Sequence, residues 1–206
     1  MTNVAAIVLA AGRGMRFGES PKLLAILDGM PLVRHVAEAA LASECAPVLV
    51  VTGHESEAVS RALAGLDIRL VDNPDHAAGL STSLNAGMDA LPTSVDAAIV
   101  LLGDMPLVTA DLIDRIAAVW RESGRPDAVV PTHAGRRGNP VLLSRRLSPE
   151  LATLTGDVGA GLLLRNRAGV LELPVDDEAV SLDVDTPDSL RAAQLVTRTT
   201  PSRMAE

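Results

Sequence analysis

Short apolar runs alternate with longer amphipathic stretches along most of the chain. Val4–Leu9 is apolar at every position, the pattern of a strand covered on both faces. Val48–Thr52, Ile68–Val71, Ala97–Leu102 and Ala128–Pro131 read the same way. Between them, Pro31–Ala42, Ser56–Leu63, Ser81–Leu91 and Ala110–Glu122 carry apolar side chains at helical spacing. Pro31 suits a first helical turn, and Gly65 suits a helix stop. Such alternation predicts right-handed crossovers and an α/β fold with a mostly parallel sheet. Ligands on these sheets sit beyond the carboxyl ends of the strands, so the residues after each apolar run are the ones to read. After Gly138 the pattern loosens: Pro140–Leu143 and Val170–Leu173 read as strands, Val158–Arg165 and Asp188–Leu195 as helices. Residues 1–196 are expected to form one domain. Residues 197–206 are polar and aperiodic, and are expected to be a disordered tail. There is no internal repeat.

Composition narrows this picture. A chain of 206 residues needs no disulfide or metal staple to fold. With one Phe, one Trp and no Tyr, the core must be aliphatic and no base-stacking platform for single-stranded nucleic acid is available. The 18 Lys and Arg against 26 Asp and Glu leave a net charge of −8, which repels nucleic acid and anionic membranes. Cys45 is alone, so it reads as a small core residue in a reduced, cytoplasmic protein. No apolar run is long enough to span a bilayer. The start of the chain lacks a basic region and reads as a first strand rather than a signal peptide.

The first strand runs into Leu9-Ala10-Ala11-Gly12-Arg13-Gly14-Met15-Arg16-Phe17-Gly18-Glu19-Ser20-Pro21-Lys22. A dinucleotide fingerprint fails here because Phe17 holds the place of its last glycine, and a P-loop fails because Lys22 lies between Pro21 and Leu23. What remains is a different phosphate loop. Its glycines let backbone N–H groups approach an anion, and Arg13, Arg16 and Lys22 concentrate positive charge on an acidic protein. Asp104 ends the run Ala97–Leu102 and suits either a metal ligand or a turn aspartate. Asp183 and Asp185, two apart in an extended stretch, point to one side. They could complete a metal site, or Asp185 could cap the helix at Pro187 in competition with Thr186. Asp72 and Ser81-Thr82-Ser83 follow other strand ends and could reach a base edge. Asp157 sits in a glycine-rich turn and suits a helix cap. His35, His54, His76 and His133 form no ligand pattern with each other or with Cys45.

Leu9-Ala10-Ala11-Gly12, with Arg16, Gly18 and Lys22, resembles the signature of the single-domain nucleotidyltransferases that act on the molybdenum cofactor. Further segments match in order: Asn73-Pro74, Gly79 to Leu84, Leu102-Gly103-Asp104-Met105-Pro106, Gly135 through Arg137-Gly138-Asn139-Pro140-Val141, Gly156 to Ala160 and Asp183-Val184-Asp185-Thr186-Pro187. The resemblance covers most of the chain and is strongest to molybdenum cofactor cytidylyltransferases. It implies a Rossmann-like three-layer sandwich and transfer of CMP from CTP to the phosphate of the molybdopterin cofactor, for supply to a xanthine-dehydrogenase-type hydroxylase met in transient contact. It assigns Leu9 to Gly14, Lys22, Asp72 and Ser81 to Ser83 to the nucleotide. Lys22, Arg16 and Asp104 become catalytic, and Asp104, Asp183 and Asp185 hold Mg²⁺. Gly138, Asn139, Pro140 and Asp157 fall to the acceptor. Related guanylyltransferases read Leu-Ala-Gly-Gly where this chain has Ala11, so the Ala11 methyl is expected to exclude a purine. Two other readings compete: a transferase for another small phosphate, and a non-catalytic cofactor-binding chaperone.

Overall fold

In chain order the elements of the computed structural model are β1 (Asn3–Ala10), a two-strand ribbon of β2 (Ile26–Leu27) and β3 (Met30–Pro31), α1 (Leu32–Ala42), β4 (Val48–Thr52), α2 (Ser56–Ala62) and β5 (Arg69–Asp72). They continue with α3 (Leu80–Asp89), β6 (Val95–Leu102), α4 (Ala110–Glu122), β7 (Ala128–His133), β8 (Arg136–Arg137) and β9 (Val141–Ser144). The chain closes with α5 (Ser148–Leu151), α6 (Gly161–Leu164), β10 (Val170–Pro174) and α7 (Pro187–Thr199). The structure describes residues 3–14, 17 and 21–199.

The main sheet runs β10-β7-β9-β6-β1-β4-β5, with β8 paired to β7. β1 lies at its centre, parallel to β4 on one side and to β6 on the other. Its unbroken apolar run divides by parity, as side chains alternate across a strand. Val4, Ala6, Val8 and Ala10 face one layer, packed with Val36 and Ala40 of α1 and Ile113 and Ile116 of α4. Ala5, Ile7, Leu9 and Ala11 face the other, against Leu84 and Met88 of α3 and Leu151 of α5. Gly87 makes that second contact close, because a Cβ there would stand 2.7 Å from Ile7 Cγ2. The result is a Rossmann-like α/β sandwich with helices on both faces. Among the described residues, no helix is long and apolar enough to cross a membrane.

The loosened pattern after Gly138 has a physical origin. β9 runs antiparallel to both β6 and β7, so the chain turns back through β8 instead of crossing over by a helix. Pro140 has no N–H to give a ladder, and the strand begins after it rather than at it. The expected helix over residues 158–165 is one turn, Gly161–Leu164, because Gly159 and Gly161 disfavour a longer one. The last helix runs past its expected end to Thr199, so the stretch read as tail begins helically; residues 200–206 lie outside the described residues. Cys45 is buried, and burial pushes its thiol up to about 11, in keeping with a filler role.

Trp120 is the largest fully buried side chain, and its indole N–H donates to the Pro126 carbonyl at 2.9 Å. Trp120→Ala is expected to cost about 3–5 kcal/mol. Urea unfolding followed by circular dichroism measures this; a loss below about 1 kcal/mol would mean that α4 is not anchored through this ring.

Candidate active site

β1 delivers the chain to the carboxyl edge of the sheet. Leu9, Ala10 and Ala11 are buried there, while Gly12 and Arg13 are exposed. The exit is pinned from both sides: Gly103 N–H donates to Leu9 O at 3.0 Å, and His54 N–H donates to Ala11 O at 3.2 Å. Gly12, Arg13 and Gly14 are thus the residues of this turn open to solvent, and residues 9–11 form the buried wall beneath them. This corrects the sequence reading in one respect. Ala11 is only 2% exposed and belongs to the apolar layer, so its methyl has no surface with which to exclude a purine. Gly14 has φ +57, and a Cβ on it would stand 2.7 Å from Lys22 Cβ. Glycine is required there twice, by backbone conformation and by close approach. Arg16 lies outside the described residues.

Lys22 opens a short 3-10 turn after Pro21 and reaches across the edge of the sheet. Its ammonium donates to Asp104 Oδ2 at 2.5 Å and to Asp185 Oδ1 at 2.7 Å. Burial opposes the charge on Lys22, but Asp104 and then Asp185 outweigh it and hold its pKa above the ordinary lysine value. The backbone joins the carboxylates too, since Val184 N–H donates to Asp104 O at 2.9 Å. Asp183 lies beside them. Burial first, and then the charges of Asp185 and Asp104, push its carboxyl above the ordinary range. Thr186 takes the capping role left open in the sequence: Ser189 N–H donates to Thr186 Oγ1 at 3.1 Å. Asp185 is thereby left to the lysine.

A divalent cation fits this arrangement. Asp104 Oδ1 is buried and has no hydrogen-bond partner among the described residues, an expensive state for a carboxylate oxygen. Among the described residues, no group of three or more His, Cys, Asp or Glu side chains forms a ready-made metal site. One or two carboxylates, completed by phosphate and water, are the usual provision for a metal that travels with a nucleotide.

On one face of the sheet, from β1 across β6 and β9 to β7, lies a cavity of about 280 Å³, lined by Leu9, Leu80, Leu102, Gly138, Asn139 and Gly159 among others. Two of the expected acceptor residues, Gly138 and Asn139, line it. Pro140 is buried behind them, and Asp157 is exposed outside the lining. The sequence reading missed the apolar wall from α3 and Arg137, which also lines the cavity and donates to Leu164 O at 2.8 Å. Gly138 is tightly held, because a Cβ there would stand 2.2 Å from Val180 O. Asn139 N–H donates to the same carbonyl at 2.8 Å. The segment that carries Asp183 and Asp185 is thus tied to the cavity on one side and to Asp104 on the other.

The hydroxyls expected at a base edge are used within the protein. Ser81 Oγ donates to Gly156 O at 2.9 Å, and Thr82 and Ser83 accept from Asn73 Nδ2 at 2.9 and 3.0 Å. Asp72 is exposed at the sheet edge, in a shallow depression shared with Thr52, Ser56 and Arg61.

The model for the MobA-like NTP transferase domain matches residues 6–173. The chain belongs to the MobA-like NTP transferase family. It is 33% identical over 194 residues to the nicotine blue oxidoreductase of Paenarthrobacter nicotinovorans, covering 91% of this chain and 94% of that one. It is 28% identical over 197 residues to the molybdenum cofactor cytidylyltransferase of Escherichia coli K12, covering 94% and 97%. The solved manganese complex of Rv0371C from Mycobacterium tuberculosis H37Rv superposes with a TM-score of 0.78 at 29% identity, over 94% of this chain and 99% of that one. As a member of the MobA-like NTP transferases, the protein is a nucleotidyltransferase enzyme, and enzymes of this class use divalent metals.

Two expectations follow. Burial and two neighbouring carboxylates disfavour the charge on Asp183, so Asp183→Asn should raise the melting temperature of the metal-free protein at pH 7. A carboxyl with a raised native pKa destabilises the fold above that pKa, and the gain should shrink as pH falls through the carboxylate range. Melting curves at pH 7 and pH 4.5 measure both, and a lower melting temperature at pH 7 would contradict the assigned environment. Gly138→Ala should push Val180 and lower turnover about tenfold or more, with the secondary structure intact. Unchanged turnover would uncouple the cavity from the carboxylates.

Proposed function

We propose that the enzyme transfers CMP from CTP to the phosphate of the molybdopterin cofactor, with Mg²⁺ bound by Asp104 and Asp185, and that it works in the cytoplasm to supply a molybdenum hydroxylase. The observation that carries this reading is Lys22 bridging Asp104 and Asp185, with the segment that leads to Asp185 hydrogen-bonded through Val180 O to Asn139 of the cavity. The 28% identity to a molybdenum cofactor cytidylyltransferase over nearly all of both chains supports the choice of acceptor and nucleotide.

In the reaction, an ionised oxygen of the acceptor phosphate attacks the α-phosphorus of CTP. A new P–O bond forms, the bond from the α-phosphorus to the bridging oxygen breaks, and pyrophosphate leaves with the electron pair. The nucleophile is already an anion near neutral pH, which fits a site without a Ser-His or Cys-His pair. Alignment and charge neutralisation remain for the protein to provide. Gly12 and Gly14 offer backbone N–H groups and space to the phosphates, with Arg13 beside them. Lys22 shares its charge between the carboxylates and the crowded α-phosphate, as a compact ammonium does better than a planar guanidinium. Mg²⁺, when bound, neutralises charge on the phosphates and on the leaving pyrophosphate. Gly138 and Asn139 position the acceptor at the cavity mouth.

A second reading draws on the 33% identity to a nicotine blue oxidoreductase: a redox activity on the same scaffold. It gives no role to a metal carboxylate opposite a phosphate loop.

Pyrophosphate release from each of the four nucleoside triphosphates, with and without molybdopterin cofactor, tests the proposal. Release from CTP only in the presence of the cofactor is expected, and Asp104→Asn should lower kcat by about 100-fold or more while circular dichroism stays unchanged. Lys22→Ala should lower kcat more than it raises KM for the nucleotide. Full activity in Asp104→Asn, or no pyrophosphate from any nucleotide, would overturn the reading.

A further inference from the structure

Under the transferase reading, on which this inference rests, the base needs a polar partner that the residues placed so far do not supply. Ala11 is buried, the hydroxyls of Ser81 to Ser83 are used internally, and Asp72 belongs to a separate depression. The strand order fixes where the base must lie. Asp104 follows β6, the phosphate loop follows β1, and the cavity with Gly138 spreads from Leu9 of β1 across β6 and β9 to β7, with no lining from β4 or β5. A nucleotide whose phosphates rest at β1 and β6, with the acceptor beyond them, extends its base over the ends of β4 and β5. From β6 to β5 is three strand spacings, roughly 14 Å. Two imidazoles stand at that end, with ring centroids 6.3 Å apart: His54 after β4 and His76 after β5.

His76 is built into its place. Its Nδ1 lies 3.1 Å from the Asn73 carbonyl oxygen. Asn73 is itself buried and fixed, with its amide donating to Thr82 and Ser83 and its Oδ1 accepting from Asp75 N–H at 3.1 Å. Beneath the ring is Gly53, where a Cβ would stand 2.5 Å from His76 Cβ and 3.0 Å from the Ala11 methyl. The ring therefore rests against the backbone at the root of the phosphate loop. A carbonyl oxygen only accepts, so Nδ1 carries the proton, and Nε2 of the neutral ring is an acceptor alone. Among the described residues, Nε2 has no hydrogen-bond partner.

We propose that His76 reads the nucleobase, its Nε2 accepting a hydrogen bond from the exocyclic amino group, so that the site takes cytosine and rejects uracil. The 4-amino group of cytosine donates to this lone pair. Uracil presents a carbonyl oxygen at the same position, and two acceptors then face each other in a partly desolvated site. Discrimination therefore rests on the fixed tautomer of His76 and not on the Ala11 methyl. His76 is a specificity residue and touches none of the reacting atoms.

The test compares CTP, UTP and the triphosphate of 2-pyrimidinone riboside, which is cytidine without its amino group. Dissociation constants come from calorimetry, and kcat/KM from pyrophosphate release. Wild type is expected to favour CTP over the analogue by about tenfold and over UTP by more. In His76→Ala the preference for CTP over the analogue should collapse to near unity, and His76→Gln, which restores an acceptor, should recover part of it. A purely structural role would weaken all three ligands equally and leave the ratios unchanged, and that result would overturn the proposal. Wild type that binds CTP and the analogue equally would also overturn it, while leaving nucleotidyl transfer intact. Wild type that binds no nucleotide would remove the transferase reading together with this one.

Discussion

The ammonium of Lys22 held between the carboxylates of Asp104 and Asp185 is the interaction on which the rest of the site depends. It joins three segments that are remote in sequence: the phosphate loop, the end of β6 and the lead into α7. Two partly buried carboxylates at this distance would repel each other without a cation, and an isolated ammonium at this burial would be costly. Each makes the others tolerable. The same balance suits a nucleotide, which brings its own negative charge and its own metal. Lys22 then has phosphate oxygens to meet as well as carboxylates, and Asp104 Oδ1, buried and without a partner among the described residues, suits a second ligand.

The fold holds this interaction at the sheet edge by backbone contacts. Leu9 O accepts from Gly103, Ala11 O from His54, Asp104 O from Val184 and Val180 O from Asn139. Each bond ties a loop to a strand end or to another loop, so the end of β1, the carboxylates and the cavity lining are held in register with one another. Gly14 and Gly138 allow the closest approaches, against Lys22 and Val180. Preorganisation of this kind matters most in a reaction whose barrier is lowered by alignment and charge.

Much of this was legible in the sequence. The apolar runs that gave β1 and β4 declare themselves because strands covered on both faces need no polar positions. Lys22 stood out as one of three cations gathered in a glycine-rich loop on an acidic protein, whereas Asp104 suited a turn as well as a metal and was singled out by the family motif around it. The region around β9 was obscure because an antiparallel return leaves the same apolar signature as a parallel strand. Ala11 was misread because a loop signature does not say which way a methyl points. Ser81, Thr82 and Ser83 looked like ligand contacts because the sequence does not reveal that Asn73 and Gly156 already use them. His76 gave no signal at all, since its tautomer and its seat on Gly53 exist only once β4 and β5 are side by side.

The central claim is that Asp104 and Asp185 form a cation site that Lys22 shares. Electron paramagnetic titration with Mn²⁺, in the absence of nucleotide, tests it most directly on wild type, Lys22→Met and Lys22→Met combined with Asp104→Asn, each with an unchanged far-ultraviolet spectrum. Removing the ammonium leaves two uncompensated negative charges, so Lys22→Met should bind Mn²⁺ about tenfold or more tighter than wild type, and adding Asp104→Asn should abolish the gain. Equal affinity in wild type and Lys22→Met, or a gain that survives the loss of Asp104, would contradict the account.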